Sequence, residues 1–407
     1  MKKLLSTFFG LWIMMLQLSA QTKSGVADTI PHLSHFFIEK NVVKASDDFP
    51  ERIVGCAYND SFVYCSCTAF KDKDNNYQAT IFALNSKTGE QSQLMIPFPE
   101  AKANMMTARN YWIYAINVTE EKIILSTQYA ILFYGLDEDG EYELQQRVPT
   151  SFSPEFTYYF KGSIYYSCQD NEMGFRLVEQ KINSNKQHEV QQFKIDAPFL
   201  LQYGPNGFIK ATDEYIYFLN SPKFCLQKYS LTGNKIAEIN IEIPNWHTMD
   251  PDYIQEMGTM EYSGDRAMYS FYHSKKYSFP LEVIPLNDRN FLLTYHQYNV
   301  ADSTEEIDMI LFCTNDDWSN YHYYPVSVVF PKEHVVQNDE FPIYYHHIEK
   351  CLSFSTHNML WQLVKETEVP YKGKKWGDYE NEKQEYLKRN DVVLKLRVME
   401  FKDNVEP

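Results

Sequence analysis

One segment concentrates side chains that could bind or transform a ligand. Residues 243–280 read IPNWHTMDPDYIQEMGTMEYSGDRAMYSFYHSKKYSFP and combine indole, phenol, imidazole and carboxylate groups. Aromatic faces beside carboxylates and imidazoles suit a sugar or peptide pocket. We therefore predict a ligand-binding site formed by Trp246, His247, Asp250, Tyr253, Tyr262 and His273. The alternative interpretation is a lid whose rings pack onto the body of the protein.

Signatures of known catalytic chemistry are absent from the sequence. It contains no GxSxG, HExxH, Walker or dinucleotide-binding pattern. A carboxylate pair of the glycosidase type needs a separation of about 5 to 9.5 Å in space, which a sequence cannot supply. We predict no catalytic residues. The alternative is a hydrolase or lyase acting on polysaccharide or peptide, with carboxylates or with His247 and His273 near a central axis.

Metal ions and cofactors are not predicted either. His322, His346 and His347 lie near aromatic residues, but adjacent strand residues point to opposite faces, so His346 and His347 cannot both bind one metal ion without a bulge. Residues 72–76 (DKDNN) begin like a calcium loop, yet Tyr77 stands where glycine is required. The seven cysteines include no CxxC pair, and their odd number leaves at least one thiol unpaired or bridged to another molecule.

Charge and the amino-terminal residues limit the partners and the location. Residues 1–20 join two lysines to an apolar run and end in small residues, the pattern of an export signal. No later segment approaches the length of about 20 apolar residues that spans a bilayer. The formal net charge of −16 disfavours nucleic acid and anionic membranes. We predict an exported protein, periplasmic or extracellular, whose partner is a peptide, a glycan or an envelope protein.

The elements that must position the segment recur six times along the chain. Each copy joins an extended aromatic or aliphatic run to a second strand through a short polar turn, as in TDEYIYFL from Thr212. The other copies begin at Asn59, Glu120, Lys161, Asp288 and Ile348. A second hairpin follows in most copies, with polar turns that begin at Asn85, Asp137, Asn183, Leu231 and Thr314.

Four antiparallel strands per copy indicate the blade of a β-propeller. We predict an all-β fold with six blades; seven is the alternative count, and a β-sandwich is the rival architecture. Closing the ring requires strands from both chain ends in one blade, and we expect them at residues 35–43 and 391–401. Residues 21–407 then form one domain after the signal peptide, with an insertion at 243–280 and a helix at 374–390.

The export signal, the strand pattern of TDEYIYFL and the turn KYSLTGNKI at residues 228–236 resemble the exported six-bladed β-propeller proteins of bacteria, a broad and largely uncharacterised group. The resemblance covers most of residues 45–370 and implies the fold rather than an activity. Some relatives carry a GxGPGE turn after the first blade, which this chain lacks. The function that the sequence favours is a non-catalytic binding module, whose central funnel and insertion hold a partner.

Overall fold

The computed structural model describes residues 35–44, 55–58, 62–66, 70–71, 77–97, 113, 115–119, 121–127, 130–150, 154–160, 162–170, 174–181, 187–194, 197, 208–260, 269–270, 272–301, 303–326, 352–354, 359–366 and 393–402. Within these ranges the chain forms six antiparallel sheets, numbered here in chain order. The signal peptide predicted at 1–20 and the helix predicted at 374–390 lie outside the described residues.

Sheets 1 to 5 each use strands that follow one another directly in the sequence. Sheet 1 contains β2 (Gly55–Tyr58), β3 (Phe62–Ser66), β4 (Phe70–Lys71), β5 (Tyr77–Asn85) and β6 (Gln91–Pro97). Sheet 2 contains β7 (Ala115–Val118), β8 (Lys122–Ser126), β9 (Ala130–Leu136) and β10 (Tyr142–Pro149). Sheet 3 contains β11 (Pro154–Phe160), β12 (Ser163–Asp170), β13 (Gly174–Lys181) and β14 (Gln187–Lys194). Sheet 4 contains β15 (Ile209–Ala211), β16 (Tyr215–Asn220), β17 (Cys225–Ser230) and β18 (Lys235–Asn240). Sheet 5 contains β19 (Phe279–Pro285), β20 (Asn290–Asn299), β21 (Thr304–Thr314) and β22 (Tyr321–Val326).

Sheet 6 joins the two ends of the described chain. Its strands are β23 (Leu352–Phe354), β24 (Met359–Glu366), β25 (Val393–Phe401) and β1 (Phe37–Lys44), in the order β1-β25-β24-β23. Phe37 lies opposite Phe401 in the antiparallel register, and their rings meet edge to face with centroids 5.4 Å apart. The prediction that residues 35–43 and 391–401 share one sheet is confirmed. The chain end is thereby tied into the sheet.

Burial explains why the sequence pattern changes from strand to strand. In β16 the side chains of residues 216–219 are all fully buried, so both faces of this strand are covered by protein. In β18, at the outer edge of the same sheet, exposed side chains predominate and only Ile239 is buried. A sheet packed between two neighbours needs continuous apolar residues in its middle strands and tolerates polar residues at its outer edge. The apolar run YIYFL therefore marks a middle strand.

Neighbouring sheets meet along apolar seams that follow one another around a ring. Strand contacts join β2 to β7, β7 to β11, β11 to β15, β15 to β19, and β23 to β2. Sheets 5 and 6 share a buried cluster that includes Leu292, Leu311 and Met399. Each sheet thus covers a face of the next, and the last covers the first. This closed arrangement of radial sheets is a β-propeller, as predicted from the recurring hairpins.

The order of the strands sorts the connections onto two faces of the ring. Successive antiparallel strands reverse direction, so alternate turns lie at opposite ends of a sheet. The turns between the second and third strands and the connections between sheets share one face, called here the upper face. The turns between first and second and between third and fourth strands form the lower face. The turns predicted at Asp137, Leu231 and Thr314 join third and fourth strands and lie on the lower face. In sheet 1, β3, β5 and β6 are neighbours and the short β4 pairs with β5, so the predicted turn at Asn85, between β5 and β6, lies on the lower face as well. The turn predicted at Asn183 lies outside the described residues.

One lower-face turn explains the glycine of KYSLTGNKI. Gly233 has φ +85°, a backbone conformation that residues with a Cβ rarely adopt. A Cβ added there would lie 2.5 Å from the carbonyl oxygen of Val190 in the neighbouring sheet. The glycine is therefore required both by the turn and by the close approach of sheet 3.

Among the described residues, no helix has the length and apolar character that crossing a bilayer would take.

Candidate functional site

The predicted site lies in the connection between β18 and β19, on the upper face. This connection contains helix α1 (Pro251–Thr259), which the sequence analysis did not predict. Asp250 caps its start, because the side chain accepts a hydrogen bond of 2.9 Å from the backbone N–H of Asp252. Pro251 occupies the first helical turn, where its missing N–H costs nothing. An Asp-Pro pair followed by Tyr253 and Met257, four residues apart, is the sequence signal that could have revealed the helix.

Helix α1 is anchored by the two side chains of that spacing. Tyr253 and Met257 are buried and share an apolar cluster with Phe279 and Leu281, the first and third residues of β19. Ala197, from the connection between β14 and β15, completes the contact on the same face. The helix is therefore packed against the start of β19, the first strand of sheet 5.

Five rings of this connection pack in a continuous series, called here the aromatic row. The centroids of His247 and Tyr277 lie 5.3 Å apart with planes inclined by 14°, and those of Tyr277 and Tyr253 lie 5.5 Å apart with planes inclined by 22°. Tyr253 then faces His273 at 6.2 Å and Tyr269 at 6.4 Å. The centroids of Tyr269 and His273 are 4.0 Å apart. The structure thus brings together His247, Tyr253 and His273 from the predicted site.

The other predicted site residues have different positions. Trp246 is half-buried beside the row, with its ring 5.2 Å from Phe224 and 5.9 Å from Tyr295. Asp250 is the exposed cap of α1. Tyr262 lies outside the described residues. Contact of any of the six with a ligand stays a prediction, while Tyr269 and Tyr277 are members of the row that the predicted site omitted.

Backbone hydrogen bonds hold His247 in place. Its Nδ1 lies 2.5 Å from the carbonyl oxygen of Lys276, so Nδ1 carries the proton that is donated. The backbone N–H of His247 donates to Ser278 Oγ at 3.1 Å, and the N–H of Ser278 donates to the His247 carbonyl at 2.8 Å. These bonds fasten the first part of the connection to its last residues, so the imidazole is oriented before any ligand arrives.

Two carboxylates raise the pKa values of the half-buried phenols of the row. The hydroxyl of Tyr269 donates to the two carboxylate oxygens of Glu256 at 3.3 and 3.4 Å. Partial desolvation and the Glu256 charge raise the pKa of Tyr269, and desolvation and the Asp250 charge raise the pKa of Tyr277. Burial raises the pKa of Tyr253 to about 12. The phenols are therefore protonated hydrogen-bond donors at neutral pH.

The two described cysteines that the structure shows as free thiols are buried in the sheets. Burial raises the pKa of Cys225 to about 11 and that of Cys313 to about 12. A thiol that stays protonated is a poor nucleophile and a poor metal ligand. Within the described ranges, no group of three or more His, Cys, Asp or Glu side chains could hold a metal ion.

A second cluster of charged and aromatic groups lies between sheets 4 and 5 near the lower face. Lys228 is buried, and its Nζ lies 3.7 Å from the ring centroid of Tyr215 and 3.8 Å from the carboxylate of Asp288. Burial lowers the pKa of Lys228, although Asp288 and Glu214 act in the opposite direction. The unfolded chain thus holds this proton more tightly, and the contribution of Lys228 to stability rises with pH towards 10.5.

Replacing Lys228 with methionine should therefore leave the protein as stable as before or stabilise it by up to about 2 kcal/mol at pH 7, because a buried charge is removed and the apolar stem is kept. The free energy of unfolding measured in urea tests this. Lys235→Met is the control, since Lys235 forms a half-exposed pair with Glu238 and pairs of that kind contribute little. A loss of more than about 1 kcal/mol in Lys228→Met would contradict the reasoning.

Comparison with known proteins gives similarities of structure. No protein-family model and no curated protein matches the sequence. A member of the DUF4221 family from Bacteroides vulgatus is 9% identical, over 90% of this chain and 98% of that one, with a TM-score of 0.43. Catalytically inactive virginiamycin B lyase from Staphylococcus aureus with quinupristin is 9% identical, over 88% and 99% of the chains, with a TM-score of 0.38. The N-terminal domain of Nup159 is 12% identical, over 72% and 67%, with a TM-score of 0.38.

Because the identities are 9 to 12% and the TM-scores are below 0.5, the assignment of the propeller fold depends on the sheets and the sheet-to-sheet contacts of this chain itself. The propeller part of the predicted resemblance is confirmed by those sheets. Bacterial origin, export and the number of blades stay predictions.

Proposed function

We propose that the protein is a non-catalytic binding module that recognises a peptide, glycan or protein partner through the funnel and the upper face of the propeller. The observation that carries the proposal is the anchored aromatic row. Its central ring, Tyr253, is buried against β19, while His247, Tyr269, His273 and Tyr277 are half-buried and keep part of their surface open to a partner. Rings fixed in advance lose little conformational entropy when a partner binds.

The hydrogen bonds of the ionisable groups also favour binding over catalysis. Asp250 caps α1, and the Nδ1 of His247 donates to a backbone carbonyl. The phenols of Tyr253, Tyr269 and Tyr277 have raised pKa values, which moves them away from the range in which a tyrosine could act as a base at neutral pH. Groups that are already used in the fold present surface and hydrogen bonds rather than proton transfer.

The proposed location of the protein is outside the cytoplasm. Export directed by residues 1–20 would bring the upper face to the periplasm or the exterior, where the partner is an envelope protein, a peptide or a glycan. Localisation of a full-length fusion, compared with one that lacks residues 1–20, tests this part independently of binding.

Binding is tested on glycan and peptide arrays with the purified protein and a variant. Tyr272 lies in the helical stretch at residues 272–274 that carries His273, and its side chain is 38% exposed. Tyr272→Ser should weaken binding of any ligand found by about 10-fold, a typical loss for an exposed contact ring. The matched control is Ile236→Ser, which removes an apolar side chain with 53% exposure from the outer edge of sheet 4.

Two results would overturn the proposal. The first is a ligand whose affinity is unchanged by both Tyr272→Ser and His273→Ala. The second is the appearance of cleaved array components over time, which would favour the hydrolase or lyase alternative.

A further inference from the structure

One edge of the aromatic row combines ring faces with a carboxylate. The ring centroids of Tyr269 and His273 lie 4.0 Å apart with planes inclined by 32°, and the hydroxyl of Tyr269 donates to the exposed Glu256 of α1. Tyr272 is three residues after Tyr269, the spacing at which side chains of a helical turn are neighbours. Residues 269, 270 and 272–274 are helical. These four residues, Glu256, Tyr269, Tyr272 and His273, are called here the acidic aromatic edge.

The charges that raise the pKa values of the outer phenols of the row are negative. The carboxylates of Asp250, Asp252 and Glu256 are exposed along α1. The charge of Glu256 raises the pKa of Tyr269, and the charge of Asp250 raises the pKa of Tyr277. Of the neighbouring cations, Lys275 is buried and Lys276 is exposed. The formal net charge of the whole chain is −16, so its long-range field attracts cations.

We propose that the acidic aromatic edge binds a cationic group, the guanidinium or ammonium of an arginine or lysine side chain presented by a partner peptide or protein. This inference rests on the proposed binding function and names the chemistry of its partner. An aromatic face attracts a cation placed over it, and arginine stacks on such faces especially well. Glu256 supplies a carboxylate within reach of the same rings, and a carboxylate forms strong hydrogen bonds to a guanidinium.

The arrangement discriminates against other ligands on physical grounds. An anionic ligand would meet the carboxylates of Glu256 and Asp250 with like charge. A neutral sugar could stack on Tyr272 and accept hydrogen bonds from the phenols, but the charge of Glu256 would contribute little to its affinity. The charge of Glu256 therefore separates the two ligand classes.

The test uses a peptide pair that differs only in charge. The first is an acetylated, amidated pentapeptide with two arginines separated by glycines, and the second carries citrulline in place of both arginines. We expect the arginine peptide to bind at least 10-fold more tightly by calorimetry. Glu256→Gln should weaken it by about 5- to 10-fold and reduce the salt dependence, because the amide can still accept from Tyr269 but carries no charge.

The matched control is Glu138→Gln, in the exposed turn between β9 and β10 on the lower face, which changes the net charge equally and should leave binding unaltered. Equal binding of the two peptides, no detectable binding of either, or equal losses in Glu256→Gln and Glu138→Gln would overturn the inference. If an array ligand is lost in Tyr272→Ser while Glu256→Gln binds it normally, the binding module stands and the cationic partner is excluded. If no upper-face variant affects any ligand, both proposals fall.

Discussion

Replacing Phe279 with alanine will lower the free energy of unfolding by about 3–5 kcal/mol, the usual cost of truncating a buried phenylalanine. Phe279 is the first residue of β19 and is fully buried. It packs in the cluster that holds Tyr253 and Met257 of α1, and its ring lies 4.8 Å from that of His296. The truncation leaves a cavity beneath the helix, so we also expect α1 to dock less firmly.

Urea unfolding followed by tryptophan fluorescence measures this loss. Phe279→Leu keeps most of the volume and should cost about 1 kcal/mol, while Ile236→Ala, at an exposed position, should stay within about 0.5 kcal/mol of the parent. Hydrogen exchange of the amides of α1 should accelerate in the alanine variant. A change in the free energy of unfolding below about 1 kcal/mol in Phe279→Ala would show that the helix does not depend on packing against this side chain.

Truncating Phe37 will destabilise the protein by a similar amount, about 3–5 kcal/mol, because this residue joins the first and last strands of the described chain. Phe37 is 3% exposed and lies opposite Phe401. It also belongs to the cluster that connects sheet 6 to Leu292 and Leu311 of sheet 5. Losing the ring weakens both the pairing of β1 with β25 and the seam between the two sheets.

Hydrogen exchange distinguishes this loss from a general destabilisation. In Phe37→Ala we expect the amides of β1 and β25 to lose protection before those of sheet 4. Ile38→Ala is the control, since the adjacent side chain of the same strand is 46% exposed. If Ile38→Ala lowers the free energy of unfolding as much as Phe37→Ala, or if all sheets lose protection together, Phe37 does not specifically stabilise the closure of the ring.

The recurring hairpins were predictable because their physics is local. In TDEYIYFL the polar turn and the buried run are adjacent in sequence, and Thr212 Oγ1 accepts from the backbone N–H of Tyr215 at 3.2 Å to form the turn. Continuous apolar residues in β16 signal a strand covered on both faces. Such signals lie within eight residues of one another, so a single sequence displays them.

The candidate site was predicted only in part, because its geometry depends on distant contacts. Residues 243–280 were identified by composition, but the series from His247 through Tyr277 to Tyr253 exists only because α1 packs on β19. The alternative of a lid whose rings pack onto the body describes Tyr253 and Trp246 well, since both rest on apolar neighbours. The hydrogen bond from the phenol of Tyr269 to Glu256 joins residues thirteen positions apart, a contact that no local sequence pattern specifies.

The pairing of β1 with β25 bears on how the chain is made. During synthesis β1 leaves the ribosome before every other described strand, yet its partner is the last to emerge. Until then the backbone groups of β1 lack their partner strand, and a nascent chain that has emerged as far as β24 presents them to other molecules. Termination of translation before β25 would consequently yield an unclosed product prone to self-association, even though five of the six sheets in the described ranges had been completed.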